Sequence, residues 1–157
     1  MNTLYIRHYV PAPGSGVLCP PCSETNTALQ AMVEELSPKL ANLDVTLSLQ
    51  TLEIPHITSK NSGRLNYLSF YGPEMGLKTE RSIEDVLEVP VSYSQCEGCV
   101  LPGGEPFAAR TLEIEGEPCR ALPSGVLTDA LIRVVFSVLG DCSAEGGCDT
   151  CSGCGPR

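Results

Sequence analysis

Cys19 and Cys22 stand two residues apart with Pro20 and Pro21 between them, and Ala28, Leu29, Met32, Val33 and Leu36 follow at the spacing of one helix face. The pair therefore opens an amphipathic helix. Two thiols at i and i+3 of a helix start lie on one face, within reach of a disulfide. The free N–H groups and the dipole at that end favour negative charge, so Cys19 becomes a thiolate more readily than a free cysteine. Cys19 is the candidate nucleophile on a substrate disulfide, and Cys22 the thiol that resolves the mixed disulfide. Pro20 and Pro21 have no N–H to donate, so the sulfur draws on fewer backbone donors than it would with glycine there. The expectation is a modest lowering of the Cys19 pKa and a reducing couple, far from the roughly −120 mV of the most oxidising dithiols. Such an exchange requires no cofactor.

The chain has nine cysteines, an odd number that cannot all pair within one molecule. Cys96-Glu97-Gly98-Cys99 falls in a stretch that reads as loop, where no helix dipole is on hand. Cys142, Cys148, Cys151 and Cys154 lie in a tail with Gly146, Gly147, Gly153 and Gly155, which lets backbone wrap around a small site. Cys96 and Cys99 with two tail cysteines supply four sulfurs for tetrahedral zinc and would tether the tail to the body. Thiolates also suit soft cations such as Cu(I), Hg(II) or trivalent arsenic. The run Cys148, Cys151, Cys154 begins like a ferredoxin motif but lacks its fourth cysteine, which disfavours an iron–sulfur cluster. A third account of the tail is a disordered terminus with incidental cysteines. Cys119 reads as a small buried hydrophobe, and His8 and His56 as lone surface or core histidines rather than ligands.

These residues belong to a chain of 157 amino acids with ten Lys and Arg against 19 Asp and Glu, a formal charge of −9. That length suits one domain. The acidic balance argues against nucleic acid and anionic lipid as partners. Residues 1–10 lack the basic stretch and apolar run of a secretory signal, and residues 126–139 are too short and too interrupted, by Asp129 and Arg133, to cross a bilayer. The expectation is a cytoplasmic protein without membrane association, where paired cysteines are more often redox-active or metal-binding than structural.

The elements that must position the first pair follow from periodicity. Residues 3–10 read as a strand, with the helix from Cys19 kinked or ended at Pro38. Val45, Leu47 and Leu49 alternate with polar residues, and Leu52 and Ile54 continue out of phase, which predicts a second strand with a bulge. Residues 59–64 read as a turn, 65–71 as a strand, and 82–88 as a short helix capped by Ser82. Residues 89–110 read mostly as loop, 111–122 as a hairpin and 127–139 as a terminal helix ending at Gly140. Strand, helix, strand, then hairpin and helix is the order of the thioredoxin fold, an α/β architecture with a central mixed β-sheet flanked by helices. The division is a domain at 1–140 and a Cys/Gly-rich tail at 141–157. A loop proline such as Pro90 is the place to look for a cis proline facing the motif.

The sequence resembles a family of small uncharacterised prokaryotic thioredoxin-like proteins with an N-terminal CxxC. The matching residues are Cys19, Pro20, Cys22 and Thr25, then residues 82–87 (SIEDVL), then Cys96 and Cys99, then Arg110 to Gly116 (RTLEIEG) and Ala121-Leu122-Pro123. The likeness covers about residues 3–139, with an expanded segment at 72–81 and Cys119 where an aromatic residue is common. It implies the thioredoxin-like fold and supports the first pair as the site, without implying a substrate.

Two functions are consistent with these residues. One is a thiol–disulfide oxidoreductase acting on a protein disulfide or thiol through Cys19 and Cys22. The other is a non-catalytic soft-metal or metalloid binder, for zinc, Cu(I), Hg or As(III), with Cys96, Cys99, Cys142, Cys148, Cys151 and Cys154 as ligands.

Overall fold

Alternation of Leu4, Ile6 and His8 with half-buried neighbours makes Asn2–Pro11 the strand β1, and every second side chain of it is buried. In the computed structural model, which describes residues 2–139, β1 is the inner strand from which the first sheet is built. The helix α1 (Pro20–Ala41) leads to β2 (Val45–Ile54), which pairs with β1 in parallel. A 3₁₀ turn at Ser62–Arg64 precedes β3 (Leu68–Gly72), which pairs with the other side of β1 in antiparallel fashion. The strand β4 (Leu77–Ser82) completes the sheet in the order β2-β1-β3-β4. The short helix α2 (Ile83–Leu87) follows, with the Asp85 N–H donating to the Ser82 hydroxyl at 3.3 Å, the cap expected of Ser82. A second sheet, β5-β6-β7, is made of β5 (Val91–Val100), β6 (Pro106–Ile114) and β7 (Glu117–Cys119), and α3 (Ser124–Leu139) closes the described chain. None of these helices is long and apolar enough to cross a membrane.

Several expectations are corrected. Residues 89–110 are not mainly loop: β5 and β6 are long antiparallel partners, and Pro102-Gly103-Gly104 lies in the turn between them. The hairpin at 111–122 exists as β6 and β7, but it belongs to this second sheet, and the hairpin of the first sheet is β3-β4. The β1-β2 register runs unbroken from Asn2 opposite Val45 to Pro11 opposite Ile54, so β2 carries no bulge. Its phase change marks a change of partner: Val45, Leu47 and Leu49 pack in the main apolar cluster, whereas Ile54 packs against a second one. Pro38 does not end α1. It falls in the last turns, where few hydrogen bonds depend on it, and Leu40 beyond it is buried in the main cluster and holds the helix end down. The Ser37 hydroxyl also donates to the Val33 carbonyl at 2.6 Å.

The main cluster gathers Leu4, Ile6, Leu68 and Phe70 from the sheet, Leu29 and Met32 from α1, Ile83 and Val86 from α2, and Leu127, Leu131 and Val134 from α3. The opposite parity of β1 and β3 carries half-buried Tyr5, Arg7 and Tyr71, with the Arg7 guanidinium 4.4 Å from the Tyr71 ring centre. The second cluster, with Cys19, Cys22, Leu65, Cys96, Cys99, Leu101 and Phe107, lies between the start of α1 and the second sheet.

Candidate functional site

Pro20 and Pro21 occupy the first two positions of α1, where a missing N–H costs nothing, and this leaves Cys19 as the N-cap. The Cys19 sulfur accepts from the Cys22 N–H at 3.3 Å, as a serine or aspartate cap would. Cys19 and Cys22 are joined by a disulfide with Cα atoms 5.3 Å apart. Cys19 is 7% exposed and Cys22 2%, so both are buried and Cys19 is the less deeply so. Leu18, just before it, is 61% exposed. Reduction would leave one backbone donor, that of Cys22, on the Cys19 thiolate, the sparse donation expected from the diproline.

That sparseness is testable. Pro21→Ala adds an N–H at the second helical position, and a hydrogen bond to a charged group contributes about 1.5 kcal/mol. Stabilising the reduced form by that much should raise the reduction potential by roughly 30 mV. Redox titration of the Cys19/Cys22 couple reads the shift, and an unchanged or lower potential would show that donors at this end do not tune the sulfur.

Cys96 and Cys99 sit near the end of β5 and form a second disulfide with Cα atoms 5.4 Å apart. Among the described residues no group of three or more His, Cys, Asp or Glu is placed to hold a metal ion. Cys142, Cys148, Cys151 and Cys154 lie outside the described residues. The two disulfides share the second apolar cluster. The chain segments that carry them are joined by a β-bridge in which Leu18 and Val100 exchange hydrogen bonds, N to O, at 2.9 and 3.1 Å. Gly98 has φ +86°, and a Cβ there would stand 3.2 Å from Pro20 Cγ, so the second cysteine loop is shaped against the first.

A cleft of about 600 Å³ is lined by Pro20, Pro21 and Glu24 of α1, by Cys96, and by Cys119 and Arg120. Cys119 is a free thiol and half-buried, packed against the main cluster. Burial, then Glu117 and Glu113, push its pKa up, which keeps it protonated and a poor nucleophile.

A buried polar chain ties these parts together. His8 on β1 is fully buried, with Nε2 2.6 Å from Asn66 Oδ1 and Nδ1 3.2 Å from Asn26 Nδ2 on α1. The amide nitrogen of Asn26 can only donate, so Nδ1 accepts and the proton belongs on Nε2, giving a neutral ring. Burial pulls the His8 pKa down, and the Asn66 hydrogen bond offsets part of that. Asn66, at φ +67°, donates its amide nitrogen Nδ2 to the Arg120 carbonyl at 2.8 Å, and Arg120 Nε donates to the Ser94 hydroxyl at 3.0 Å. Thr25 Oγ1 accepts the Leu122 N–H at 3.0 Å. Asn26 and Asn66 escape sequence reading because nothing local distinguishes them. His8 conforms to its expected core role, and His56 is exposed.

Sheet and site thus define a mixed α/β protein with two CxxC disulfides packed against one another. The chain belongs to a family described as a domain of unknown function (DUF2703), whose model matches residues 3–131. No curated protein and no solved structure matches it.

Proposed function

We propose that the chain is a thiol–disulfide oxidoreductase of thioredoxin-like architecture. The observation that carries this reading is Cys19 as the helix N-cap, its sulfur accepting from the Cys22 N–H while bonded to Cys22. The strand order β2-β1-β3-β4, with α1 between its parallel strands, supports the architecture. In the reduced protein the Cys19 thiolate attacks one sulfur of a substrate disulfide and the substrate's other sulfur leaves as a thiolate. The Cys22 thiolate then attacks Cys19, releasing the substrate's second thiol and closing the Cys19–Cys22 disulfide. Two electrons reach the substrate, and an external dithiol in a reducing compartment such as the cytoplasm restores the reduced pair.

Reduction of insulin by dithiothreitol tests this. Wild-type protein should accelerate the reaction, Cys19→Ser should fall to the uncatalysed rate, and Cys22→Ser should accumulate a mixed disulfide on Cys19. Equal rates for wild type and Cys19→Ser would refute the reading. The competing soft-metal binder, using Cys96, Cys99 and the tail cysteines, predicts no turnover and stoichiometric zinc or arsenic in protein purified without chelator.

A further inference from the structure

We propose that Cys96 and Cys99 form a second redox centre that exchanges its disulfide directly with Cys19 and Cys22, an inference that rests on the oxidoreductase reading above. The argument begins with the bridge between Leu18 and Val100, which exchange both N–H···O bonds and are therefore a hydrogen-bonded antiparallel pair. The next position along such a pair is Cys19 opposite Cys99. In a regular antiparallel ladder that is a non-hydrogen-bonded position, where Cα atoms stand about 4.5 Å apart and side chains leave on the same face. Disulfides span Cα separations of roughly 4.4–6.8 Å, so this register suits a Cys19–Cys99 bond without moving the backbone far. Gly98 against Pro20 keeps the two loops in register, and both pairs lie in the same apolar cluster.

All four cysteines are buried, so an exchange among them would take place inside the apolar cluster. Each pair has a fully or nearly fully buried member, Cys22 at 2% and Cys99 at 0%, and a more exposed one, Cys19 at 7% and Cys96 at 8%. Cys96 also lines the cleft that Pro20 and Pro21 border, so the second pair has its own access to a thiol partner.

The step balances within the chain. With Cys19–Cys22 oxidised and Cys96 and Cys99 reduced, the Cys99 thiolate attacks the Cys19 sulfur. The Cys19–Cys22 bond breaks, Cys22 leaves as a thiolate, and a Cys19–Cys99 bond forms. The Cys96 thiolate then attacks Cys99, and Cys19 leaves as a thiolate. Two electrons have passed from the second pair to the first, the two protons given up by Cys96 and Cys99 are taken up by Cys19 and Cys22, and no external oxidant enters. An external dithiol then reduces Cys96–Cys99 and is itself oxidised to a disulfide.

Trapping the intermediate tests the exchange. In full-length Cys22→Ser/Cys96→Ser protein, gentle oxidation should give a Cys19–Cys99 link as the main product by non-reducing peptide mapping, with Cys119 and the tail cysteines present as competitors. Cys19 linked instead to Cys119, to a tail cysteine or to added glutathione would overturn the proposal. A second measurement on wild type covers a variant that fails to fold: each pair is followed by differential alkylation through a series of glutathione redox buffers. Both pairs should titrate reversibly with equilibrium constants within roughly 100-fold, about 60 mV. Cys96–Cys99 staying oxidised where Cys19 and Cys22 are fully reduced would mark it as a staple and overturn the proposal. Insulin turnover separates the two ideas: turnover without a Cys19–Cys99 link sinks the exchange alone, and a link without turnover sinks the oxidoreductase reading alone.

Discussion

Arg110→Met should destabilise the protein by about 3 kcal/mol, and Arg110→Met/Glu84→Leu should regain most of that loss. Arg110 on β6 forms an ion pair with Glu84 on α2, at 7% and 17% side-chain exposure, and its guanidinium stands 4.8 Å from the Tyr67 ring centre. Removing only the cation leaves a mostly buried carboxylate without its partner, which typically costs 3–5 kcal/mol. The residual exposure of Glu84 favours the lower end. The pair is also incompletely satisfied: Arg110 Nε and Glu84 Oε1 have no hydrogen-bond partner among the described residues. An apolar replacement of both groups removes that shortfall, which is why the double variant should recover. Denaturant unfolding of the oxidised proteins measures all three. A double variant no more stable than Arg110→Met would show that the arginine contributes through packing on Tyr67 instead of through charge.

The second large effect is expected at Asn66. Asn66→Ala should cost about 2–5 kcal/mol, from the backbone and from the side chain's lost hydrogen bonds to His8 and the Arg120 carbonyl. A left-handed backbone costs a residue with a Cβ about 1–2 kcal/mol, which asparagine tolerates better than alanine. The buried His8 Nε2–H also loses its acceptor, worth about 1–3 kcal/mol. Asn66→Gly relieves the first and not the second, so it should fall between wild type and Asn66→Ala; equal loss in both would assign the whole effect to the side chain. The same network predicts acid sensitivity. The folded pKa of His8 lies below its ordinary 6.5, so the unfolded chain binds the proton first. Stability from this group is complete above about pH 6.5 and is lost as pH falls below it, by at most about 1.4 kcal/mol per pH unit until the folded pKa is reached. His8→Gln should flatten that part of a stability profile taken between pH 7.5 and 5.5, and an unchanged slope would exclude His8 as its source.

Arg110 and Glu84 also show how much of this arrangement was legible in advance. Both sit in the segments, 82–87 and 110–116, that carried the family resemblance, and the structure gives them a shared physical cause: one is the ion partner of the other. Thr25 and Leu122, from two further matching segments, are likewise hydrogen-bonded to each other. The strand β1 and the helices α1 and α3 were readable because their apolar positions repeat at 2 or 3.6 residues. The strand β4 was not, because an edge strand with Lys78, Thr79 and Glu80 exposed carries no alternation to detect. In β5, Val91 and Tyr93 do alternate with serines, but the Pro and Gly of the following turn dominated the segment. Reading that hairpin as loop hides the main feature of the site, since the Leu18–Val100 bridge and the approach of Gly98 to Pro20 bring the second cysteine pair to the first. Such long-range pairing leaves no mark on local sequence.

The Thr25 hydroxyl that holds the Leu122 N–H has a mechanical consequence for the cleft. It ties the segment carrying Leu122 to the first turns of α1, and both line the cleft, so parting them there would leave a buried N–H without its acceptor, at a cost of about 1–3 kcal/mol.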